Sequence, residues 1–248
     1  MMAHNSYRLR RLHRFLGITV GIQLLFWTVS GLYFSWSDLD SVHGDPQKNA
    51  SAPLPSRDSL GSPSVALANL RQTEGDFDLA ELRLVQILGK PCWQITFVPA
   101  AHREHGMKMV RLVDAKTGTL RPALNESEAV EIAKLAFNGS QEIQKVEYLT
   151  AVNSHHEFRD EPLPAYAVTF RHPTNTTVYV STEHGTVQKF RNDSWRVFDF
   201  LWMFHTMDYR SRDDINNWVL RAFSVLGLLT VVSGFVLFFL TMKRKRNA

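Results

Sequence analysis

Phe15-Leu16-Gly17-Ile18-Thr19-Val20-Gly21-Ile22-Gln23-Leu24-Leu25-Phe26-Trp27-Thr28-Val29-Ser30-Gly31-Leu32-Tyr33-Phe34-Ser35-Trp36 holds no Asp, Glu, Lys or Arg. At about 1.5 Å per residue, a helix of this length crosses a hydrocarbon core of about 30 Å. A second charge-free stretch, residues 222–242, lies near the other end of the 248-residue chain. All 24 acidic residues fall between the two, in residues 37–216. Arg8, Arg10, Arg11 and Arg14 precede the first stretch, and Lys243, Arg244, Lys245 and Arg246 follow the second. Lys and Arg gather on the cytoplasmic side of membrane spans. The expected topology is therefore a hairpin in a bacterial inner membrane, with tails 1–14 and 243–248 cytoplasmic and residues 37–216 periplasmic.

The run 15–36 is too long for the apolar core of a cleavable signal, and Leu32-Tyr33-Phe34-Ser35-Trp36 offers no small-x-small cleavage site. An uncleaved anchor is expected. Trp27, Tyr33, Phe34 and Trp36 suit the aromatic belt of its outer interface. The formal net charge of +4 is set by the flanks, since the middle segment has more acidic than basic residues. That charge is a topology signal and gives no case for nucleic acid. Cys92 has no partner for a disulfide, so the outer segment must stand on packing.

Residues 37–63 carry Pro46, Pro53, Pro55 and Pro63 among small polar residues and read as a linker. The chain then repeats itself. Ser64-Val65-Ala66-Leu67-Ala68-Asn69-Leu70 parallels Ser127-Glu128-Ala129-Val130-Glu131-Ile132-Ala133, each a helical start with a capping-type serine. Trp93-Gln94-Ile95-Thr96-Phe97 parallels Tyr166-Ala167-Val168-Thr169-Phe170, and the alternating strand at 110–114 before Gly118 parallels 177–181 before Gly185. The expected fold class is α+β: two units, 64–122 and 123–193, each a helix packed on an antiparallel sheet. A span at 217–242 follows an amphipathic helix and turn at 194–216, whose many aromatics place it along the outer membrane surface.

These units resemble the PepSY domain, whose repeats have this order and often carry a strand ending in Asp-x-x-Thr-Gly. Asp114, Thr117 and Gly118 match that ending; the second unit departs from it with Ser181 and His184, keeping Gly185. Leu12-His13-Arg14-Phe15-Leu16-Gly17 with Ser30-Gly31-Leu32, and Phe204-His205 before a span carrying Ser233-Gly234, are similar to helices of PepSY-associated membrane proteins. That wider family includes iron-regulated membrane proteins and ferric-siderophore reductases thought to carry haem. The resemblance implies haem as cofactor, with His13 and His205 as candidate iron ligands, and a component of a membrane reductase serving electron transfer or iron reduction.

The residues themselves leave both histidines open. His13 shares a helix face with Gly17 and Gly21, where it either reaches toward cytoplasmic water or faces a helix partner as an axial ligand. Ser224, Gly227 and Gly234 give the second span a comparable small-residue side. His205 stacks over Leu201, Trp202 and Phe198, and its ring needs either a structural hydrogen bond or a metal. One histidine near each face calls for a homodimer or a partner membrane subunit to complete a six-coordinate iron. His102 and His105 around Glu104, and His155 and His156 beside Glu157, read as solvated loop residues with a weaker metal alternative. No hydrolase triad, phosphate loop or HExxH motif is present. The second function class is a non-enzymatic periplasmic module that holds a partner protein, redox or peptidase, or restrains a peptidase.

Overall fold

A computed structural model of the chain describes residues 2–50, 53–54 and 60–246. Pro55 of the linker and residues 247–248 lie outside the described residues, as do the side chains of Lys243, Arg244, Lys245 and Arg246. The chain forms two compact units, one of Leu39–Trp195 and one of Met1–Asp38 with Arg196–Ala248.

The first unit carries the repeat. The unit opens with a short helix α2 (Leu39–His43), and helix α3 (Pro63–Glu74) leads into strands β1 (Phe77–Ile87), β2 (Lys90–Pro99), β3 (Met109–Asp114) and β4 (Leu120–Arg121). Helix α4 (Glu126–Ala136) leads into β5 (Ile143–Leu149), β6 (Ala165–Phe170), β7 (Thr177–Ser181) and β8 (Val187–Arg191). Each set of strands is an antiparallel meander in sequence order, so the protein is α+β with two four-stranded sheets, as the repeat predicts. The helix starts differ in detail from the sequence expectation. The caps are Ser62 and Asn125, two residues ahead of Ser64 and Ser127. Pro63 at the first helical position and Glu128 closing a capping box with Asn125 decide those starts, because both suit an N-terminal turn whose N–H groups lack partners.

Period-two alternation sends the two faces of the first sheet to different cores. Ile95, Phe97 and Val113 pack with Ala66 and Leu70 of α3. Ile87, Cys92 and Leu112 instead join Ala129, Ala133, Phe137, Val168, Phe170, Val178 and Val180 of the second repeat. The repeats thus share a core. Cys92 is buried there, and loss of solvation pushes the pKa of its thiol up. On the far face of the second sheet, Phe158 from the β5–β6 connection stacks on Tyr179 at 4.5 Å and closes a smaller cluster with Ala165 and Ala167.

The turn after the third strand is the same device in both repeats, made with different side chains. In the first, Asp114 Oδ1 accepts from the N–H groups of Lys116 and Thr117 (2.8 and 2.9 Å), and Gly118 N–H returns to Asp114 O (2.9 Å). In the second, Ser181 Oγ meets His184 Nδ1 (3.1 Å), and Gly185 N–H returns to Ser181 O (3.0 Å). Gly118 and Gly185 have φ of 73° and 71°, the left-handed region that a side chain disfavours. Outer strands β1 and β5 each carry a register shift, between Leu79 and Glu81 and between Ile143 and Lys145. Such bulges twist an edge away from unwanted pairing.

Part of the stretch that reads as linker is docked. Asn49 N–H donates to Ala136 O (2.8 Å), its side-chain amide donates to Leu135 O and Phe137 O, and Gln47 O accepts from Asn138 N–H. These bonds serve the end of α4, whose last carbonyls have no partner within the helix. Their sequence separation of 86 to 91 residues hides them from any local pattern.

The second unit consists of α1 (Met2–Trp36), most of α5 (Asp193–Thr206) and α6 (Trp218–Arg246). Within them Arg10–Trp36 and Trp218–Met242 are long and apolar enough to cross a membrane.

Candidate functional site

His13, Leu16, Val20, Gln23, Trp27, Ser30 and Phe34 recur at spacings of three and four residues, which puts them on one face of α1. That face packs: Leu16, Val20, Gln23 and Ser30 are buried, while Ile18, Ile22, Leu25 and Val29 are exposed. Helix α6 runs antiparallel along it. A Cβ built at Gly227 would stand 3.9 Å from Val20, and one at Gly234 would stand 3.3 Å from His13 Cε1. Gly17 and Gly21 have nothing within 4 Å of that position, so the close approach belongs to the glycines of α6 and the face expected from Gly17 and Gly21 is open.

Helix α5 presents its C-terminal carbonyls to the same face. Phe204 O accepts from Gln23 Nε2 (2.9 Å), and His205 O accepts from Trp27 Nε1 (2.8 Å). Thr206 O accepts from Asn217 Nδ2 (2.9 Å). Higher up, Phe34 meets Phe198 with ring centroids 4.5 Å apart. These contacts hold the C-terminal part of α5 against residues 23–34 of α1. The cause is hydrogen-bond demand, because polar side chains inside an apolar helix satisfy carbonyls that have no other partner. Trp27, expected in an interfacial belt, spends its N–H here. Gln23→Leu is expected to leave Phe204 O unsatisfied and to lower stability by about 1–3 kcal/mol, read as a fall in melting temperature in detergent.

Both candidate histidines sit in this unit, each held by a serine from a different helix. His13 Nδ1 lies 2.7 Å from Ser233 Oγ, and His205 Nδ1 lies 2.9 Å from Ser30 Oγ. Each serine also donates its one hydroxyl hydrogen to a backbone carbonyl, Ser233 to Thr230 O and Ser30 to Phe26 O, both at 2.8 Å. With its hydrogen on the carbonyl, the hydroxyl accepts from the imidazole, an arrangement that puts the ring hydrogen on Nδ1 and the lone pair on Nε2. This is the tautomer of an Nε2 metal ligand steadied by a second hydrogen bond. His205 lies parallel to Trp202 (6.1 Å, 13°) and edge-on to Phe34 (5.5 Å). His13 borders a shallow groove of about 470 Å³ with Thr230, Val231, Gly234, Phe235 and Phe238.

The two rings cannot share one iron. Ser30 lies 17 positions beyond His13 on a continuous helix, about 25 Å along its axis. Each place therefore offers one nitrogen, a fit to half of a bis-histidine haem site with the tautomer such a site needs. The loop histidines lie in the repeat-bearing unit instead. His102 and His105 lie on an exposed 3₁₀ turn, Ala100–His105. His156 Nδ1 accepts from Phe158 N–H, and Glu157 accepts the Tyr179 hydroxyl at 2.6 Å. Among the described residues, no group of three or more His, Cys, Asp or Glu is placed to hold a metal ion.

Sequence reasoning missed the segment that joins α5 to α6. Asp208 accepts from the Ser211 hydroxyl and from the N–H groups of Arg210, Ser211 and Asp214 (3.0, 3.2 and 3.0 Å for the backbone donors). Burial alone would raise its carboxyl, but those donors outweigh it and hold the group well below the usual carboxylate range. Buried Asp199 pairs with Arg212 across the same turn. The hydroxyl and amide partners on α1 could have been found by asking which polar residues share the helix face of His13.

The family model described as the PepSY-associated TM region matches residues 3–241. Neither a curated protein nor a solved structure matches the chain significantly. With almost its whole length covered, from the first helix to the last, the chain belongs to the PepSY-associated transmembrane family and is a membrane protein.

Proposed function

We propose that this membrane-anchored PepSY protein is a haem-assisted electron-transfer component of an inner membrane, serving reduction of iron or of a periplasmic redox partner. The observation that carries the reading is the pair of serine-held imidazoles, His13 with Ser233 and His205 with Ser30, each with its Nε2 lone pair left for a ligand. Haem bound there would supply one-electron chemistry. The chain's part is to fix the ring tautomer and to surround it with apolar side chains that exclude water, which tune a bound iron's potential. Because each place offers one nitrogen, a second axial ligand comes from a second copy or from a partner subunit. Arg8, Arg10, Arg11 and Arg14 in the first turns of α1, ahead of its apolar stretch, support the orientation with both termini in the cytoplasm and residues 37–216 outside.

Full-length protein purified in detergent from haem-replete cells is expected to show a Soret band. His205→Ala and His13→Ala are each expected to remove a separate part of it while membrane insertion persists, and Ser30→Ala is expected to shift the reduction potential of the His205 part. Wild-type protein without haem absorbance would remove this reading. A second reading, a non-enzymatic module that holds a partner or restrains a peptidase, is favoured by one observation in the repeat-bearing unit, a cavity of about 350 Å³ at the end of β3 and β4, bordered by Glu183 of the β7–β8 turn.

A further inference from the structure

Residues 1–36 and 217–248 hold no Asp or Glu, so Arg8, Arg10, Arg11 and Arg14 have no carboxylate on either membrane helix to balance them. Their depth makes that charge more demanding. Gly234 of α6 lies beside His13 and Gly227 beside Val20, seven residues apart on both helices, which fixes one register along the contact. Arg14 and Arg10 are then level with Ser233 and Leu237, whereas the basic end of α6 starts only at Lys243. That end lies about 9–15 Å further along, at about 1.5 Å per residue. Over this interval one helix carries exposed arginines and the other exposed Phe235, Phe238 and Phe239. A charge set beside hydrocarbon needs a counter-charge or a route to water.

The same arginines flank a cleft. At about 100° of turn per residue, Arg10, Arg14, Gly17 and Gly21 all lie about 40–100° round α1 from His13, in one direction. Val231, Phe235 and Phe238 lie about 40–100° round α6 from Gly234, again in the direction of increasing turn. Because the helices run antiparallel, the two strips fall on the same side of the line where they touch. The groove of about 470 Å³ beside His13 is the α6 wall of this cleft. Gly17 and Gly21, with nothing within 4 Å of a built Cβ, are its open α1 wall. The cleft is thus charged at the level of Arg10 and Arg14 and apolar from there toward the middle of the bilayer. A molecule with an anionic head and a hydrocarbon tail has the same gradient.

We propose that the cleft between α1 and α6 binds an anionic phospholipid of the leaflet on the side of the chain termini. Arg10 and Arg14 donate to its phosphate, whose oxygens suit the planar guanidinium. One acyl chain runs along Gly17, Gly21 and Val231, and Phe235 and Phe238 cover its glycerol end. Basic pockets between membrane helices take headgroups of this kind. The site uses no imidazole nitrogen as a ligand, so this proposal and the haem reading fail separately.

The test is native mass spectrometry of full-length protein in detergent, stripped of lipid and titrated with phosphatidylglycerol or with phosphatidylethanolamine of the same chains. The first phosphatidylglycerol is expected to bind at least about fivefold more tightly, the worth of one basic residue near a charged surface. Arg10→Gln with Arg14→Gln is expected to abolish that preference. Arg8→Gln with Arg11→Gln removes the same charge from positions about 140–160° round from His13 and is expected to keep it. Gly17→Phe fills the open wall without altering any charge and is expected to weaken phosphatidylglycerol several-fold. Equal binding of the two lipids by the wild type would overturn the proposal. So would equal losses from the two arginine pairs, which would mean attraction to the helix end at large. Undiminished binding to a folded Gly17→Phe protein, or displacement of the lipid by millimolar inorganic phosphate, would overturn the seating of its chain in the cleft.

Discussion

Gly185→Ala is expected to lower the stability of the repeat-bearing unit by about 2–5 kcal/mol, since a left-handed backbone costs a side chain about 1–2 and overpacking adds about 1–3. The added Cβ would stand 2.5 Å from Ile87 Cδ1 and 2.9 Å from Leu112 Cδ1, both in the core that the repeats share. Neither neighbour can withdraw easily, for each is almost fully buried. Thermal unfolding of the full-length protein in detergent should move down by roughly 4–20 °C, given about 2–4 °C per kcal/mol for a unit of this size. Gly89→Ala is the control, because Gly89 has positive φ but nothing within 4 Å, and should cost only the backbone part. A Gly185 variant no worse than the Gly89 variant would mean that the repeats do not press together at this turn.

Asp208→Ala is the second large effect expected. One carboxylate organises the α5–α6 connection by accepting from a hydroxyl and three backbone N–H groups, and its removal strips all four donors of their acceptor at once. At about 1 kcal/mol for each part-buried bond lost, the cost is about 3–4 kcal/mol. The same carboxylate gives a pH dependence with a definite sign. Its folded pKa lies below the unfolded value, so its stabilisation is fully present above that unfolded value of about 3.9 and is lost as pH falls below it. Acid unfolding followed by tryptophan fluorescence should therefore begin below about pH 4 in the wild type, and this component should be missing from Asp208→Ala. An unchanged acid transition in the variant would show that other carboxylates dominate.

The parts of the fold legible in the sequence are those written in local periods. Two charge-free runs of helical length and three matched segments in fixed order were enough for the α+β class and its repeated helix-then-meander. The matched strands fell on β2 with β6 and β3 with β7, because alternation and a turn glycine are properties of neighbouring residues. The helix caps were misplaced by two residues, since serines are common at several positions of a first turn and only Pro63 and Glu128 distinguish them.

The candidate site was half legible. His13 and His205 stood out as rare titratable groups against apolar sequence, but their serine partners are 220 and 175 residues away. No local pattern carries a distance of that kind. A heptad-like spacing does run through His13, Gln23 and Ser30, and it was obscured by the more familiar glycine spacing at Gly17 and Gly21, which the structure leaves open. The docking of residues 45–49 on α4 was hidden for the same reason: composition reported a linker, while the partners lay 86 or more residues further on.

The shared core also sets an order of events while the chain is being made. Ile87, Cys92 and Leu112 emerge with the first repeat, yet the residues that cover them run to Phe190. At about 5–20 residues per second, the 78 residues from Leu112 to Phe190 take about 4–16 s to synthesise. For that interval the newborn first repeat carries an apolar face with nothing to close it. A helper that shields greasy surfaces on the side where this segment emerges has its natural moment of engagement there, and a chain cut short after Leu124 should be retained by such a helper.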